Sequence, residues 1–151
     1  MIVKHQNKIL GNKYYKYLER VDEDRYTVKA LYSDREVGEV VMEVLFGYNF
    51  EFEDIFDEDS FYELFSDLDI VKIEHIEVED FKKGLGVGTS LMEEAMRIME
   101  GKGYKQFYLN ASPMGFTGLD KIGLVNFYKK FGFKVLLDQG GNVIMGITKN
   151  S

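Results

Sequence analysis

The sequence predicts an α/β (α+β) domain with a mixed, mostly antiparallel sheet and a central parallel βαβ unit flanked by helices. Three observations predict this class. Strand-like segments rich in Val, Tyr and Leu follow one another in the first third of the chain. A strand, a glycine-rich turn, a helix and another strand come next, and a hairpin pattern closes the chain. Because 151 residues at 45% hydrophobic content suffice for one core, we expect a single domain over residues 1–151.

The first strand-like segments are Tyr14–Val21, Tyr26–Ser33 and Val37–Phe46, separated by short polar turns. This spacing is typical of an antiparallel meander. The first segment could instead form a helix. Together with the acidic segment that follows, these strands form the N-terminal part of the domain, about residues 13–69.

An acidic segment runs from Glu51 to Asp69, with nine acidic residues and no Lys or Arg. Within it, Ser60 can cap a short helix through about Leu68, with Glu63 at the capping-box position. Five phenylalanines can anchor the segment to the rest of the domain: Phe50, Phe52, Phe56, Phe61 and Phe65. Two interpretations stay open, a wall of a binding site that attracts cations and a solvated acidic loop.

The composition excludes several classes of protein. The net charge of −7 argues against general nucleic-acid binding, which needs Lys and Arg against phosphate. There is no cysteine, so no disulfide framework, thiolate metal site or cysteine nucleophile can form, and two histidines leave little for a metal. No stretch approaches the ~20 apolar residues of a membrane span. We therefore expect a cytoplasmic protein without a metal, a membrane anchor or a nucleic-acid partner.

The centre of the chain predicts a βαβ unit. Val71–Val78 reads as a strand, residues 82–88 as a glycine-rich turn, Thr89–Glu100 as a helix and Tyr104–Ala111 as a second strand. The two strands should be parallel with a right-handed crossover. The helix places one apolar face towards the sheet, formed by Leu91, Met92, Ala95, Ile98 and Met99.

The last third predicts a second helix and a hairpin. Gly132 closes the helix, and Phe133–Leu137 and Val143–Ile147 form the hairpin. The apolar face of this helix consists of Leu124, Val125, Phe127, Tyr128 and Phe131.

The glycine-rich turn, Lys83-Gly84-Leu85-Gly86-Val87-Gly88-Thr89, leads directly into a helix. Residues without Cβ let the backbone approach a ligand, and free N–H groups at a helix start suit phosphate. The spacing fits neither the dinucleotide fingerprint nor the nucleotide P-loop. An anion site and a turn that merely needs glycine conformations are the two interpretations.

The turn resembles the Q/R-x-x-G-x-G/A signature of the GNAT family of N-acetyltransferases, with Lys83 at its first position. The resemblance also covers Ile76 and Val78, similar to an apolar pair in the family's fourth strand. Phe127–Phe133 resembles the F/L-Y-x-x-x-G-F end of the family's last helix, and its Tyr128 follows Lys83 by 45 residues. Together these motifs span residues 71–147.

The chain departs from the family pattern at three places. Lys83 replaces the usual Gln or Arg, and Lys121 stands where the last helix often opens with Asn. The pair of helices that usually joins the family's first two strands has no counterpart. We interpret the acidic segment, between the third and fourth predicted strands, as this protein's own wall for the acceptor.

The resemblance implies a coenzyme site in the C-terminal half, about residues 70–148. Acetyl-CoA would place its pyrophosphate on the N–H groups of residues 85–89 and its pantetheine along the strand ending at Val78. The thioester would lie where the two parallel strands separate, and a backbone N–H near Val78 would stabilise the oxyanion. The residues implied in coenzyme binding are Ile76, Val78, Lys83, Gly84, Leu85, Gly86, Val87, Gly88 and Thr89.

Two residues are candidates for proton transfer. Tyr128 stands at the family position that protonates the departing thiolate, and packing on the helix face is its alternative role. Glu74 is the candidate base, because strict strand alternation would put it on the face of Ile76 and Val78. A carboxylate paired with Lys72 or a neighbour, with water carrying the proton, is the alternative.

The resemblance thus implies an N-acyltransferase that moves acetyl from acetyl-CoA to a primary amine, such as a cationic small molecule or a protein lysine. The alternative is a non-catalytic acetyl-CoA-binding or protein-interaction module on the same fold. A dinucleotide-dependent oxidoreductase is a third, disfavoured reading. A homodimer stays open as the assembly.

Overall fold

The computed structural model describes residues 2–10, 13–48, 50–65, 69–79, 86–111, 120–139 and 142–149. These residues form eight strands and four helices. The strands are β1 (Ile2–Leu10), β2 (Lys13–Asp22), β3 (Arg25–Tyr32), β4 (Arg35–Phe46), β5 (Asp69–Val78), β6 (Gln106–Asn110), β7 (Lys134–Gln139) and β8 (Asn142–Thr148). The helices are α1 (Phe50–Glu53), α2 (Glu58–Leu64), α3 (Val87–Gly101) and α4 (Lys121–Lys129).

All eight strands form one sheet in the order β1-β2-β3-β4-β5-β6-β8-β7. β5 and β6 are parallel, and every other neighbouring pair is antiparallel. The predicted mixed sheet with a central parallel βαβ unit is confirmed. The hairpin of β7 and β8 is also confirmed, and β8 is the strand that pairs with β6.

The N-terminal strand β1 was not predicted. Its residues pair with β2, with Ile2 opposite Arg20 and Leu10 opposite Lys13. Polar residues interrupt its apolar pattern, so pairing with β2 rather than a clean alternation makes it a strand. β2 itself is a strand and not a helix, and Tyr15 and Tyr17 point into the core at the period of two expected of a strand.

The helices α3 and α4 cover one face of the sheet. Their apolar residues pack with those of β2 to β6 and β8 in the larger core, which includes Met42, Ile73 and Met145. The predicted inward face of α3 is confirmed, since Leu91, Met92, Ala95, Ile98 and Met99 are all buried. α4 begins at Lys121, where Asp120 caps it by accepting a hydrogen bond from the Gly123 N–H at 2.8 Å.

The acidic segment contains α1 and α2 rather than the one helix predicted. The expected cap, Ser60, is wrong: Asp57 is the N-cap of α2, and its Oδ1 accepts a hydrogen bond from the Ser60 N–H at 2.8 Å. Asp and Ser are equally good N-cap residues, and with Asp57 as the cap the helix starts three residues earlier than predicted. This hydrogen bond lowers the pKa of the Asp57 carboxyl.

A second, smaller core lies on the opposite face of the sheet, under α1 and α2. Its rings are close to one another, with the centroids of Phe52 and Phe61 4.7 Å apart and those of Phe52 and Tyr108 4.9 Å apart. The buried members are Leu45, Phe52, Phe56, Phe61, Phe65, Ile70, Tyr108 and Ile144. Four of the five predicted anchors are thereby confirmed, and the Phe50 side chain lies outside the described part of the chain.

Replacing Phe52 by Ala tests this second core. The ring is fully buried, so its loss should lower the free energy of unfolding by about 3–5 kcal/mol. Phe46→Ala is the matched control, because Phe46 is 56% exposed and its loss should change stability by less than about 0.5 kcal/mol. Urea denaturation of both variants measures the difference, and equal stabilities would contradict the anchoring role of Phe52.

Candidate active site

The parallel strands β5 and β6 separate halfway along β5. Their pairing ends where Ile73 lies opposite Leu109, although β5 continues to Val78. Beyond this point β5 stays paired with β4, down to Val78 opposite Gly38. Among the residues that the structure describes, none pairs with residues 74–78 on the β6 side of β5. We call this side the gap; it has the α3 face on one side and the α1–α2 face on the other.

A β-bulge lies at the start of this gap. Ile73 pairs with Met42 and His75 pairs with Val41, so Glu74 is the inserted residue of β5. The expectation that Glu74 shares a face with Ile76 and Val78 is wrong. Those two residues pack into the larger core under α3, whereas Glu74 forms an ion pair with Arg25 at 3.8 Å on the opposite face. The bulge breaks the alternation on which the expectation depended.

A charged network connects α1 to the same face of the sheet. The Lys72 ammonium group contacts the Glu51 carboxylate, and the Tyr108 hydroxyl donates a hydrogen bond to the same Oε1 at 2.9 Å. Burial raises the pKa of the Tyr108 hydroxyl, and the negative charge of Glu51 adds to the increase. Lys72 thus pairs with Glu51. The alternative role of Glu74 was a carboxylate paired with Lys72 or a neighbour, and its partner is the neighbour Arg25.

Glu43 on β4 also belongs to this group. It lies opposite Arg25 on one side and Lys72 on the other. Its interaction with the Glu74 side chain raises the pKa of the Glu43 carboxyl, and burial and the negative charges of Glu74 and Glu51 raise it further, while Lys72 opposes them. Sequence reasoning missed Glu43, Glu51 and Tyr108, because no motif links residues on three separate elements.

Further along β5, His75 lies 3.7 Å from Glu39, and Glu77 stands beside both. The ligand atoms of these three residues lie within 4.8 Å of one another, a spacing that a metal ion could bridge, although solvent-facing acidic groups often have this spacing without one. A surface cavity of about 400 Å³ opens next to them, lined by residues 36–39 and 77–79. Val78, predicted to contact the coenzyme, forms part of this lining.

The N-terminus of α3 begins at a glycine in the left-handed region. Gly86 has φ +78°, and among the described residues no atom lies within 4 Å of the position that a Cβ would occupy. In the described part of the chain no side chain caps this helix, and the first helical hydrogen bond runs from the Ser90 N–H to the Gly86 carbonyl at 2.9 Å. The N–H groups of Val87, Gly88 and Thr89 are therefore available to an anion. Lys83, Gly84 and Leu85 lie outside the described residues.

Tyr128 lies on α4 within the larger core, 6% exposed. Its ring packs against Phe127 and Phe133 with centroids 5.3 and 6.0 Å away. Burial raises the pKa of its hydroxyl, so the phenol stays protonated over the physiological range of pH. The Tyr128 ring therefore packs in the core, while its hydroxyl group keeps its proton.

The sequence profile of the acetyltransferase (GNAT) family matches residues 8–133. The match covers most of the chain, and the chain belongs to this family of acetyltransferases. No curated protein matches the sequence at a significant level. Among the described helices, none has the length and apolar character that a membrane span requires.

Solved structures with the same fold come from distant relatives. The PaiA N-acetyltransferase of Thermoplasma acidophilum, in complex with coenzyme A, is 19% identical with a TM-score of 0.56 and covers 83% of this chain. This chain covers 61% of that protein's length. Arylalkylamine N-acetyltransferase 2 of Aedes aegypti has 15% identity and a TM-score of 0.60, covering 82% of this chain and 73% of its own. An aminoglycoside 6′-acetyltransferase type Ii has 18% identity and a TM-score of 0.57, covering 84% and 70%.

Gly86→Asp tests the anion site at α3. Asp and Asn tolerate positive φ better than most residues and both can cap a helix, so Gly86→Asn is a control that differs only in charge. The Asp carboxylate should compete with phosphate for the same N–H groups and weaken acetyl-CoA binding about ten-fold more than Asn does. Isothermal calorimetry gives both dissociation constants, and equal values would place the pyrophosphate elsewhere.

Proposed function

We propose that this protein transfers acetyl from acetyl-CoA to a primary amine by direct attack, without a covalent enzyme intermediate. The observation that carries the proposal is the gap beside residues 74–78 of β5. An open helix N-terminus lies towards the α3 face, and the carboxylate of Glu74 lies on the α1–α2 face. Two substrates could therefore meet in the gap from opposite sides of the sheet.

The coenzyme would be held from the α3 side. Its pyrophosphate fits the free N–H groups of Val87, Gly88 and Thr89, where helix geometry and the glycine at position 86 leave room. Lys83, Gly84 and Leu85 are expected to complete this site. The pantetheine would follow the open edge of β5 past Ile76 and Val78, and the thioester would lie in the gap.

The amine would enter from the α1–α2 side. Glu74 takes a proton from its ammonium group, because only the free amine carries a lone pair for attack on the carbonyl carbon. A C–N bond forms, and a backbone N–H of β5 between Glu74 and Val78 stabilises the oxyanion. The C–S bond then breaks as the nitrogen loses its second proton, and Tyr128 protonates the departing thiolate. Of the two protons that the amine has lost, one returns through solvent to the phenolate of Tyr128 and the other leaves Glu74 for solvent, which restores both groups.

The class of acceptor is proposed from two considerations. Two proteins of the same fold are named for amine acceptors, arylalkylamines and aminoglycosides. The acidic segment borders the face on which Glu74 lies, and Asp54, Glu58 and Asp59 are exposed on it. A concentrated negative field favours cations, so we propose a cationic acceptor such as a polyamine, an aminoglycoside-like amine or a protein lysine.

The decisive experiment is a screen of amines, polyamines and lysine peptides with acetyl-CoA, in which the release of free coenzyme A thiol is measured. Thiol release that depends on an amine, with the acetylated product seen by mass spectrometry, would support the proposal. Tight binding of acetyl-CoA without amine-dependent thiol release would favour the alternative, a coenzyme-binding or protein-interaction module on the same fold.

Tyr128→Phe tests the proton donor. The variant keeps the buried ring and loses only the hydroxyl, so kcat should fall about 100-fold while the dissociation constant of acetyl-CoA stays within about two-fold. Tyr62→Phe, at an exposed position on α2, is the matched control and should keep wild-type kcat. An unchanged kcat in Tyr128→Phe would show that Tyr128 is not the proton donor and only packs in the core.

Salt dependence tests the acidic segment. In the wild type, kcat/KM for a cationic acceptor should fall with added salt, as the Debye length shrinks from ~10 Å at 0.1 M to ~3 Å at 1 M. Neutralising Asp54, Glu58 and Asp59 to Asn, Gln and Asn should remove most of this dependence and leaves the Asp57 cap intact. The control replaces three exposed acids on other elements, Asp34, Glu100 and Asp138, in the same way. If both triple variants lose the salt dependence of kcat/KM to the same extent, the net charge of the protein, and not the acidic segment, is its cause.

A further inference from the structure

Three side chains of metal-binding type meet on β4 and β5, beyond the end of the pairing between β5 and β6. Glu39 lies directly opposite Glu77, and His75 precedes Glu77 by two residues, so the strand period puts all three side chains on one face. This is the α1–α2 face, because Ile76 between them packs in the core under α3. Two inner strands of the sheet, and not a loop, therefore hold the three groups together.

The distances within this group fit the ligands of one ion. His75 Nε2 lies 3.7 Å from Glu39 Oε1, which is too long for a hydrogen bond. Two ligand atoms that bind one tetrahedral Zn²⁺ at about 2.1 Å are about 3.4 Å apart, so this pair is about 0.3 Å from the required spacing. No separation among the three ligand atoms exceeds 4.8 Å, so side-chain rotations that shorten it by about 1.4 Å at most would complete the arrangement.

The charges around this group favour a divalent cation. Glu39 and Glu77 lie directly opposite each other on neighbouring strands, an arrangement in which like charges destabilise a sheet. Lys29 lies opposite Glu39 on the other side, and its ammonium group forms an ion pair with Glu36 at 3.1 Å. A protonated imidazole at His75 would offset one of the two negative charges, whereas a divalent ion offsets both.

A surface cavity gives an ion access to the group. The cavity measures about 400 Å³ and is lined by residues 36–39 and 77–79, so both Glu39 and Glu77 border it. The side chain of His75 is 38% exposed and that of Glu39 is 23% exposed, so neither is sealed in the core. An ion with three protein ligands keeps a further position for water, which this cavity can supply.

We propose that Glu39, His75 and Glu77 form a binding site for one divalent transition-metal ion of the Zn²⁺ type. An imidazole nitrogen and two carboxylate oxygens are ligands that Zn²⁺ accepts. The imidazole separates this site from an acidic patch, because Mg²⁺ and Ca²⁺ take oxygen ligands, whereas imidazole suits Zn²⁺, Cu²⁺ and Ni²⁺. The sequence, with only two histidines, favours a protein without a metal, but one histidine suffices when two carboxylates complete the set. The site is independent of the proposed acetyl transfer.

Titration of the tag-free protein with Zn²⁺ tests the site. Isothermal calorimetry in a buffer that does not bind metals should show one Zn²⁺ per chain, and Mg²⁺ at the same concentrations should give no measurable binding. Loss of a group that only supports a ligand costs about 10–100-fold in metal affinity, so loss of a ligand should cost at least as much. The dissociation constant of Zn²⁺ should therefore rise at least about ten-fold in His75→Asn and in Glu77→Gln.

Two control variants separate the site from non-specific binding. His5→Asn removes the other histidine of the chain and should keep the wild-type dissociation constant of Zn²⁺. Glu36→Gln removes a carboxylate that borders the same cavity, and it should weaken binding less than Glu77→Gln does, because it removes charge but no ligand. Wild-type affinity in His75→Asn, equal effects of Glu36→Gln and Glu77→Gln, or Mg²⁺ binding as tight as that of Zn²⁺ would each overturn the site.

A measurement on the wild type keeps the test independent of how well the variants fold. In protein with ¹⁵N-labelled histidine, Zn²⁺ should shift the ring-nitrogen NMR signals of His75 and leave those of His5 unchanged, with the His5→Asn spectrum giving the assignment. The melting temperature should rise with Zn²⁺ concentration, because an ion that binds only the folded chain stabilises it. Zn²⁺ that shifts the signals of both histidines equally, or of neither, would overturn the site.

Discussion

The single inserted residue in β5 is the constraint on which the site depends. β5 must pair with β4 along its whole length but with β6 only up to Ile73. The inserted Glu74 shifts the alternation of β5 by one residue, so Ile76 and Val78 lie in the core under α3 as Val71 and Ile73 do. Glu74 itself lies on the opposite face, at the point where the pairing of β5 with β6 ends.

The aromatic core under α1 and α2 holds these two helices on the face of the sheet on which Glu74 lies. Helices of four and seven residues are too short to be stable alone, so the packing of Phe52, Phe61 and their neighbours against Tyr108 must hold them. That packing brings Glu51 to Lys72 and Tyr108. Part of the acidic segment, for which a solvated loop was one of two interpretations, is thereby ordered against the sheet.

The two faces offer opposite environments to the two proposed proton-transfer groups. Tyr128 lies in an apolar core, where burial raises the pKa of its hydroxyl and keeps it protonated. Glu74 lies on the opposite face, in an ion pair with Arg25. Environments that differ in this way let one fold separate acid from base across the thickness of the sheet.

The sequence by itself determined the order of the strands and helices, the parallel βαβ unit and the helix faces, because alternation, helical period and glycine positions are local properties. It also determined the family, through the glycine-rich turn and the Phe127–Phe133 motif. Tertiary structure decided the strand β1, which only pairing with β2 reveals, and the cap of α2, for which Asp57 and Ser60 were both competent. It also decided that Glu74 lies on the opposite face from Ile76 and Val78. A bulge is a property of how two strands pair, so a period read along a single strand cannot show it.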